Sequence, residues 1–315
     1  MFTNGLRGKT SAGLPLPATH MIQRIDSHQH FWRPARGDYA WLRADVPALA
    51  PLVRDFLPEH LVPLLQAHGI GRTVLVQAAD SEAETDFMLE LATAHDVVGG
   101  VVGWVDLSRA ESVASLERMA RHPKFKGVRP MLQDLPQDDW IAHAPHPDVL
   151  RAMVRLGLRF DALVTPRHLA PLLQFLREWP QLPVVIDHAA KPPVGSADGE
   201  AVAAWRRQMR EIAALPQVCC KFSGLWTEAP PSMHRDADVV TYAVRPLWEH
   251  LLECFGPDRL MWGSDWPVLT LAGDYAGWIA LSEACIGGLA TGEQAHVWHG
   301  TAQRFYNLPL HREIP

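Results

Sequence analysis

The strongest constraint in this 315-residue sequence is an alternation repeated eight times. Short apolar, β-branched runs fall near Ile25–His30, Arg72–Gln77, Val97–Val105, Phe125–Met131, Leu158–Val164, Pro183–His188, Val218–Ser223 and Arg259–Asp265. Stretches with helix start and stop signals lie between them, predicted over Pro58–His68, from Ser81 to His95, Ser108–Arg121, Pro147–Leu156, Pro166–Trp179, Glu200–Leu215 and up to about Phe255. Two more follow the last run, over Asp274–Ile286 and Gly292–Tyr306. Strands that alternate with helices pair in parallel, because each helix supplies the crossover. Eight such units in a chain of this length predict an α/β fold, a single-domain TIM (β/α)8 barrel over residues 22–315. An open dinucleotide-binding sheet is disfavoured because no Gly-x-Gly-x-x-Gly follows the first strand.

The bulk properties remove several function classes. The formal charge of −6 is spread without basic or acidic blocks, so there is no electrostatic footprint for nucleic acid. No run approaches the roughly 20 apolar residues of a membrane helix. Residues 1–21 mix Gly, Pro, Thr and charge without a secretory apolar stretch, and read as a flexible leader outside the fold. Cys219, Cys220, Cys254 and Cys285 show no C-x-x-C spacing and suit reduced thiols in a cytoplasmic protein.

Active sites of closed parallel barrels sit at the carboxyl ends of the strands. Polar residues collect at those ends here: His28 and His30 on the first strand, Arg129 on the fourth, and Asp161 on the fifth. Asp187, His188 and Lys191 follow on the sixth, Lys221 and Ser223 on the seventh, and Ser264-Asp265 on the eighth. His28 and His30, two apart on a strand, face the same way. Trp32, Trp104, Trp226 and Trp266 fall at or just past strand ends, where flat faces with a polar edge suit a polyhydroxylated ring.

Asp-Ser-His-Gln-His-Phe-Trp at 26–32, Gly-Val-Arg at 127–129, Asp-His-x-x-Lys-Pro at 187–192 and Gly-Ser-Asp-Trp-Pro at 263–267 resemble the amidohydrolase superfamily. The similarity is closest to its amidohydrolase-related branch of lactone hydrolases. The resemblance implies hydrolysis of a small-molecule sugar lactone, such as L-fucono- or L-rhamnono-lactone. It makes His28, His30 and His188 the histidines of the site, Asp265 the carboxylate that handles the water proton, and Arg129 a substrate contact. Lys191, Trp32, Trp104 and Trp266 join Arg129 as candidate substrate contacts. Metal-rich members carry a histidine at the end of strand five, where this chain has Asp161, so a binuclear site is disfavoured. One Zn²⁺ on His28, His30, His188 and Asp265 and catalysis without metal both stay open. Arg129 either binds substrate or pairs with Asp161. Competing readings are a 2-pyrone-4,6-dicarboxylate-type lactonase, a metal-dependent decarboxylase of aromatic acids, and a non-catalytic binding protein. Oligomeric state is not legible in the sequence.

Overall fold

The computed structural model describes residues 24–309, so the leader expected over residues 1–21 lies outside the described residues. The chain alternates as β1 Arg24–Gln29, α1 Pro58–Ala67, β2 Ile70–Val76, α2 Glu82–Ala94, β3 Val98–Gly103, α3 Ser112–Met119 and β4 Phe125–Val128. Then come α4 Trp140–His143, α5 Pro147–Arg155, β5 Arg159–Ala162, α6 Leu169–Glu178, β6 Val184–Ile186, α7 Gly199–Ala213, β7 Val218–Phe222, α8 Ala237–Phe255 and β8 Leu260–Trp262. After β8 come α9 Tyr275–Ile286 and α10 Thr291–Ala295, then a π-helical turn over His296–Gly300 that leads into α11 Thr301–Phe305. The strands follow one another in sequence order as a single eight-stranded parallel sheet. Backbone hydrogen bonds close it into the expected barrel, from Asp265 N to His28 O and from His30 N to Trp266 O, both 2.8 Å.

Helix starts follow side-chain capping. Ser81 Oγ accepts from Glu84 N at the head of α2, as its spacing predicts. Glu84 itself does not turn back on Ser81. Its carboxylate accepts from the amides of Ala78 and Ala79 and holds the loop that leaves β2. Ser108, expected to open the third helix, instead donates to Asp106 Oδ1 at 2.6 Å inside a turn, and α3 begins at Ser112. β4 stops at Val128 because Pro130 has no N–H to continue a ladder.

Apolar residues form two clusters. The larger one lies mainly between the sheet and the helices. The smaller one lines the barrel interior with Ile25, Val74, Val76, Val102, Val185 and Met261. Phe305, Tyr306 and Leu308, from the chain end, pack into it. Strict alternation from Ile25 would send Ser27 and Gln29 inward. The β1–β2 register slips between Asp26 and Gln29, which inserts one residue and turns His28 and His30 inward instead.

β4 and β5 meet at Gly127 opposite Arg159, and a Cβ on Gly127 would stand 2.3 Å from the Arg159 carbonyl oxygen. Gly127→Ala is therefore expected to destabilise the barrel by about 1–3 kcal/mol. Urea unfolding measures this, and an unchanged midpoint would contradict so close an approach.

Candidate active site

His28 and His30 reach the axis of the barrel because the bulge in β1 turns them there. Their Nε2 atoms lie 3.2 Å apart. Asp265, with its backbone in the left-handed region at φ 59°, places Oδ1 3.3 Å from His30 Nε2 and 3.7 Å from His28 Nε2. His188 Nε2 stands 3.7 Å from the same oxygen. All four side chains are buried. The structure thus brings together the four residues expected to form the site's core.

His188 owes its position to an unusual turn. Residues His188, Ala189, Ala190 and Lys191 all have positive φ, between 51° and 59°. Such a run opposes the handedness of L-residues and persists only where the surroundings impose it. Trp205 Nε1 donates to Ala189 O at 2.9 Å, and His188 Nδ1 meets Ser223 Oγ at 2.9 Å. Gly224 lies against the imidazole so closely that a Cβ there would stand 2.5 Å from Nδ1. The same turn carries Lys191, whose Nζ pairs with Glu228 at 3.1 Å.

Beneath the histidines lies a layer of buried charge. Lys221 Nζ is 2.6 Å from Asp161 Oδ2, 2.9 Å from Asp187 Oδ1 and 3.1 Å from His28 Nδ1. The Tyr306 hydroxyl donates to Asp161 Oδ2 from below. Arg129 does not pair with Asp161. Lys221 occupies that carboxylate, and Arg129 Nη1 faces Asp187 Oδ2 and His28 Nε2, both at 3.4 Å, while Nη2 donates to Gln77 O.

Electrostatics follow from burial and neighbours. Burial, helped by the Lys221 ammonium, holds His28 well below the usual imidazole range. Burial also pushes His188 down to about 4. Burial alone would raise Asp265, but His188, the His30 hydrogen bond and His28 outweigh it and keep the carboxyl well below its ordinary value. At neutral pH the site therefore presents an ionised carboxylate among imidazoles, of which His28 and His188 are neutral.

The donor set fits one tetrahedral ion. Ligand bonds of about 2.0–2.1 Å give tetrahedral edges of roughly 3.3 Å. The three edges among His28 Nε2, His30 Nε2 and Asp265 Oδ1 are 3.2, 3.3 and 3.7 Å. His30 Nδ1 donates to the Val76 carbonyl at 2.8 Å, which fixes the ring with Nε2 facing the shared centre.

A cavity of about 230 Å³ opens above these groups. His30, His188, Asp265, Arg129 and Lys191 line it, with Trp32 on one wall. Trp104 and Trp266 do not line it, nor does Trp226. Trp266 is packed against Phe31 and Phe56, and Trp226 lies over Gly273 and Gly277, so both rings serve the core. Trp104 bonds through its backbone to Thr85. The wall is completed by Trp41, Leu49, Met131, Gln133, Asp134, Leu163 and Val268, most of them from loops that carry no periodic signal. A larger cavity of about 710 Å³ lies among residues from the opposite ends of β5 and β7, and the Arg159, Arg259 and Arg304 that line it donate to backbone carbonyls.

The same region of the chain, residues 25–308, matches the profile of the family described as amidohydrolase. The chain belongs to the amidohydrolase family. This amidohydrolase is 46% identical over 292 residues to an L-fucono-1,5-lactonase of Burkholderia ambifaria, covering 91% of this chain and 97% of that protein. An L-fucono-1,5-lactonase of Burkholderia multivorans is 40% identical over 292 residues, covering 91% and 96%. The crystal structure of a B. multivorans amidohydrolase with bound zinc superposes with a TM-score of 0.83 at 38% identity, over 91% of this chain and 99% of that one.

The depressed His188 gives this amidohydrolase a pH signature. An unfolded histidine takes a proton near 6.5, whereas the folded one resists it down to about 4. Its contribution to stability is thus full above 6.5 and is lost as pH falls towards 4. The His188 imidazole resonances in an NMR titration are expected to move with a midpoint near 4. A midpoint near 6.5 would contradict the burial of this ring.

Proposed function

We propose that the protein hydrolyses the ring ester of a sugar lactone of the L-fucono-1,5-lactone type, releasing the open-chain sugar acid. The observation that carries this reading is the 46% and 40% identity, over nine-tenths of the chain, with two L-fucono-1,5-lactonases. The cavity supports it. Trp41 supplies an aromatic face for a pyranose, and Leu49, Leu163 and Val268 suit the methyl group of a 6-deoxy sugar. A pyrone-dicarboxylate substrate would call for several cationic contacts. Arg129 and Lys191 are the cations on the cavity wall, and each already faces a carboxylate. The decarboxylase reading loses support at Asp161, which is engaged by Lys221 and Tyr306.

Asp265 takes a proton from water as that water attacks the lactone carbonyl carbon. The carbonyl oxygen becomes a tetrahedral oxyanion, and Arg129 on the cavity wall stabilises the developing charge. The intermediate collapses with cleavage of the bond between the carbonyl carbon and the ring oxygen. Asp265 returns its proton to the departing alkoxide, so water adds across the ester and the carboxylate is regenerated. His30, fixed by Val76 O, holds Asp265 in position. His28, His30 and Asp265, with His188 beside them, would hold zinc, which when bound supplies Lewis-acid polarisation of the carbonyl. The four free cysteines support a reducing, cytoplasmic setting, and no helix among the described residues is long and apolar enough to cross a membrane.

A pH-indicator screen of L-fucono-, L-rhamnono- and L-galactono-lactones, with and without chelator, tests the reading. Acid release from the L-fucono compound is expected, and release from none of the three would overturn the assignment. L-Galactono-lactone adds a hydroxyl where the methyl would sit, and its kcat/KM is expected to be on the order of 10–100-fold lower. Asp265→Asn is expected to lower kcat by about 10²–10⁴-fold with the circular dichroism spectrum retained. Full turnover in that variant would exclude the proton transfer assigned to Asp265.

A further inference from the structure

Two groups of potential ligands share His28. One is His28, His30 and Asp265, and the other is His28, Asp187 and His188. Their surroundings differ. The first opens on the cavity through His30 and Asp265. The second borders the enclosed layer where Lys221 sits, fully buried, with its ammonium against Asp161, Asp187 and His28 Nδ1.

We infer that Lys221 is the resident cation of this lower layer, and that it limits the site to the single ion that the upper group can hold. Its ammonium lies 2.6 Å from Asp161 Oδ2, 2.9 Å from Asp187 Oδ1 and 3.1 Å from His28 Nδ1, and Asp187 and His28 are two of the three residues of the second group. Asp161 Oδ1 is buried and has no hydrogen-bond partner, so acceptor capacity remains in the layer beyond what Lys221 uses. Charge gives the reason for exclusion. The carboxylates of Asp161 and Asp187 are balanced by Lys221 and by Arg129, which lies 3.4 Å from Asp187 Oδ2. A divalent ion added beside them would meet two buried cations and no uncompensated anion, and burial makes such charge repulsion severe. His28 then has distinct duties on its two nitrogens. Nε2 faces the upper centre and Nδ1 faces the ammonium layer.

This inference rests on the reading of the upper group as an ion site, and the test separates the two. Wild type and Lys221→Ala are loaded with excess zinc and desalted, and zinc per chain is read by plasma mass spectrometry. Lys221→Ala is expected to retain one ion more than wild type, with an anomalous scattering peak among His28, Asp187 and His188. Equal stoichiometry in the two proteins would overturn the assignment to Lys221. A wild type that holds no zinc would count against the upper site alone, because the comparison with the variant still decides the role of Lys221. If Lys221→Ala does not fold unaided, refolding with and without zinc replaces the first readout. Zinc-dependent recovery is expected, and equal recovery would overturn the proposal. The paired change Asp161→Asn with Lys221→Met removes one charge of each sign, and it is expected to keep the wild-type stoichiometry. A gained ion in that variant would place the extra site elsewhere and overturn the assignment.

Discussion

The site depends on the seam where the barrel closes. The carboxyl end of β1 and the segment just past β8 are joined by two backbone hydrogen bonds, from Asp265 N to His28 O and from His30 N to Trp266 O. The bonds that complete the cylinder are therefore the bonds that set three reactive side chains within 4 Å of one another. Buried side chains reinforce the seam. Asp26 accepts from Ser264 N and from the Tyr275 hydroxyl, and Ser27 Oγ donates to Trp262 O. Desolvation lifts the Asp26 carboxyl to about 6, although every hydrogen bond it receives acts in the opposite direction.

The barrel interior changes character from bottom to top. Phe305, Tyr306 and Leu308 meet the inward-facing valines at one end. Tyr306 hands over to Asp161, Asp161 to Lys221, and Lys221 to His28 and Asp187. Charges so deeply buried are tolerable only when mutually paired. Burial, with Lys221 beside it, keeps His28 below the usual imidazole range, and the reactive layer above rests on this paired floor. Arg129 belongs to this floor as much as to the cavity, which explains why its partner is Asp187 and not Asp161.

Much of this was legible in the chain. The alternation of strands and helices carried the eight-stranded barrel, because each run had apolar period and flanking breakers. His28, His30, His188 and Asp265 were legible as strand-end polar residues in ordered motifs, and they converge. The tryptophans differ. Trp32 sits fully buried behind the cavity wall, and Trp226 and Trp266 are buried among aromatic and glycine neighbours, since position at a strand end does not say which way a large ring turns. Trp41, Leu49, Gln133 and Val268 were not found, because loop residues carry no periodicity that betrays the face they present.

The sequence by itself determined the class of fold, the order of the strands and the chemical types available at their carboxyl ends. Those follow from local apolar patterning and from the rule that parallel strands share one direction. The tertiary structure alone decided the pairings. It required the bulge in β1 to bring the histidines into phase with the interior, and the left-handed turn at His188–Lys191 to bring His188 Nε2 within 3.7 Å of Asp265 Oδ1. It also assigned Lys221 to Asp161 across the barrel. Contacts between residues far apart in the chain depend on register, bulges and closure, which no local signal encodes.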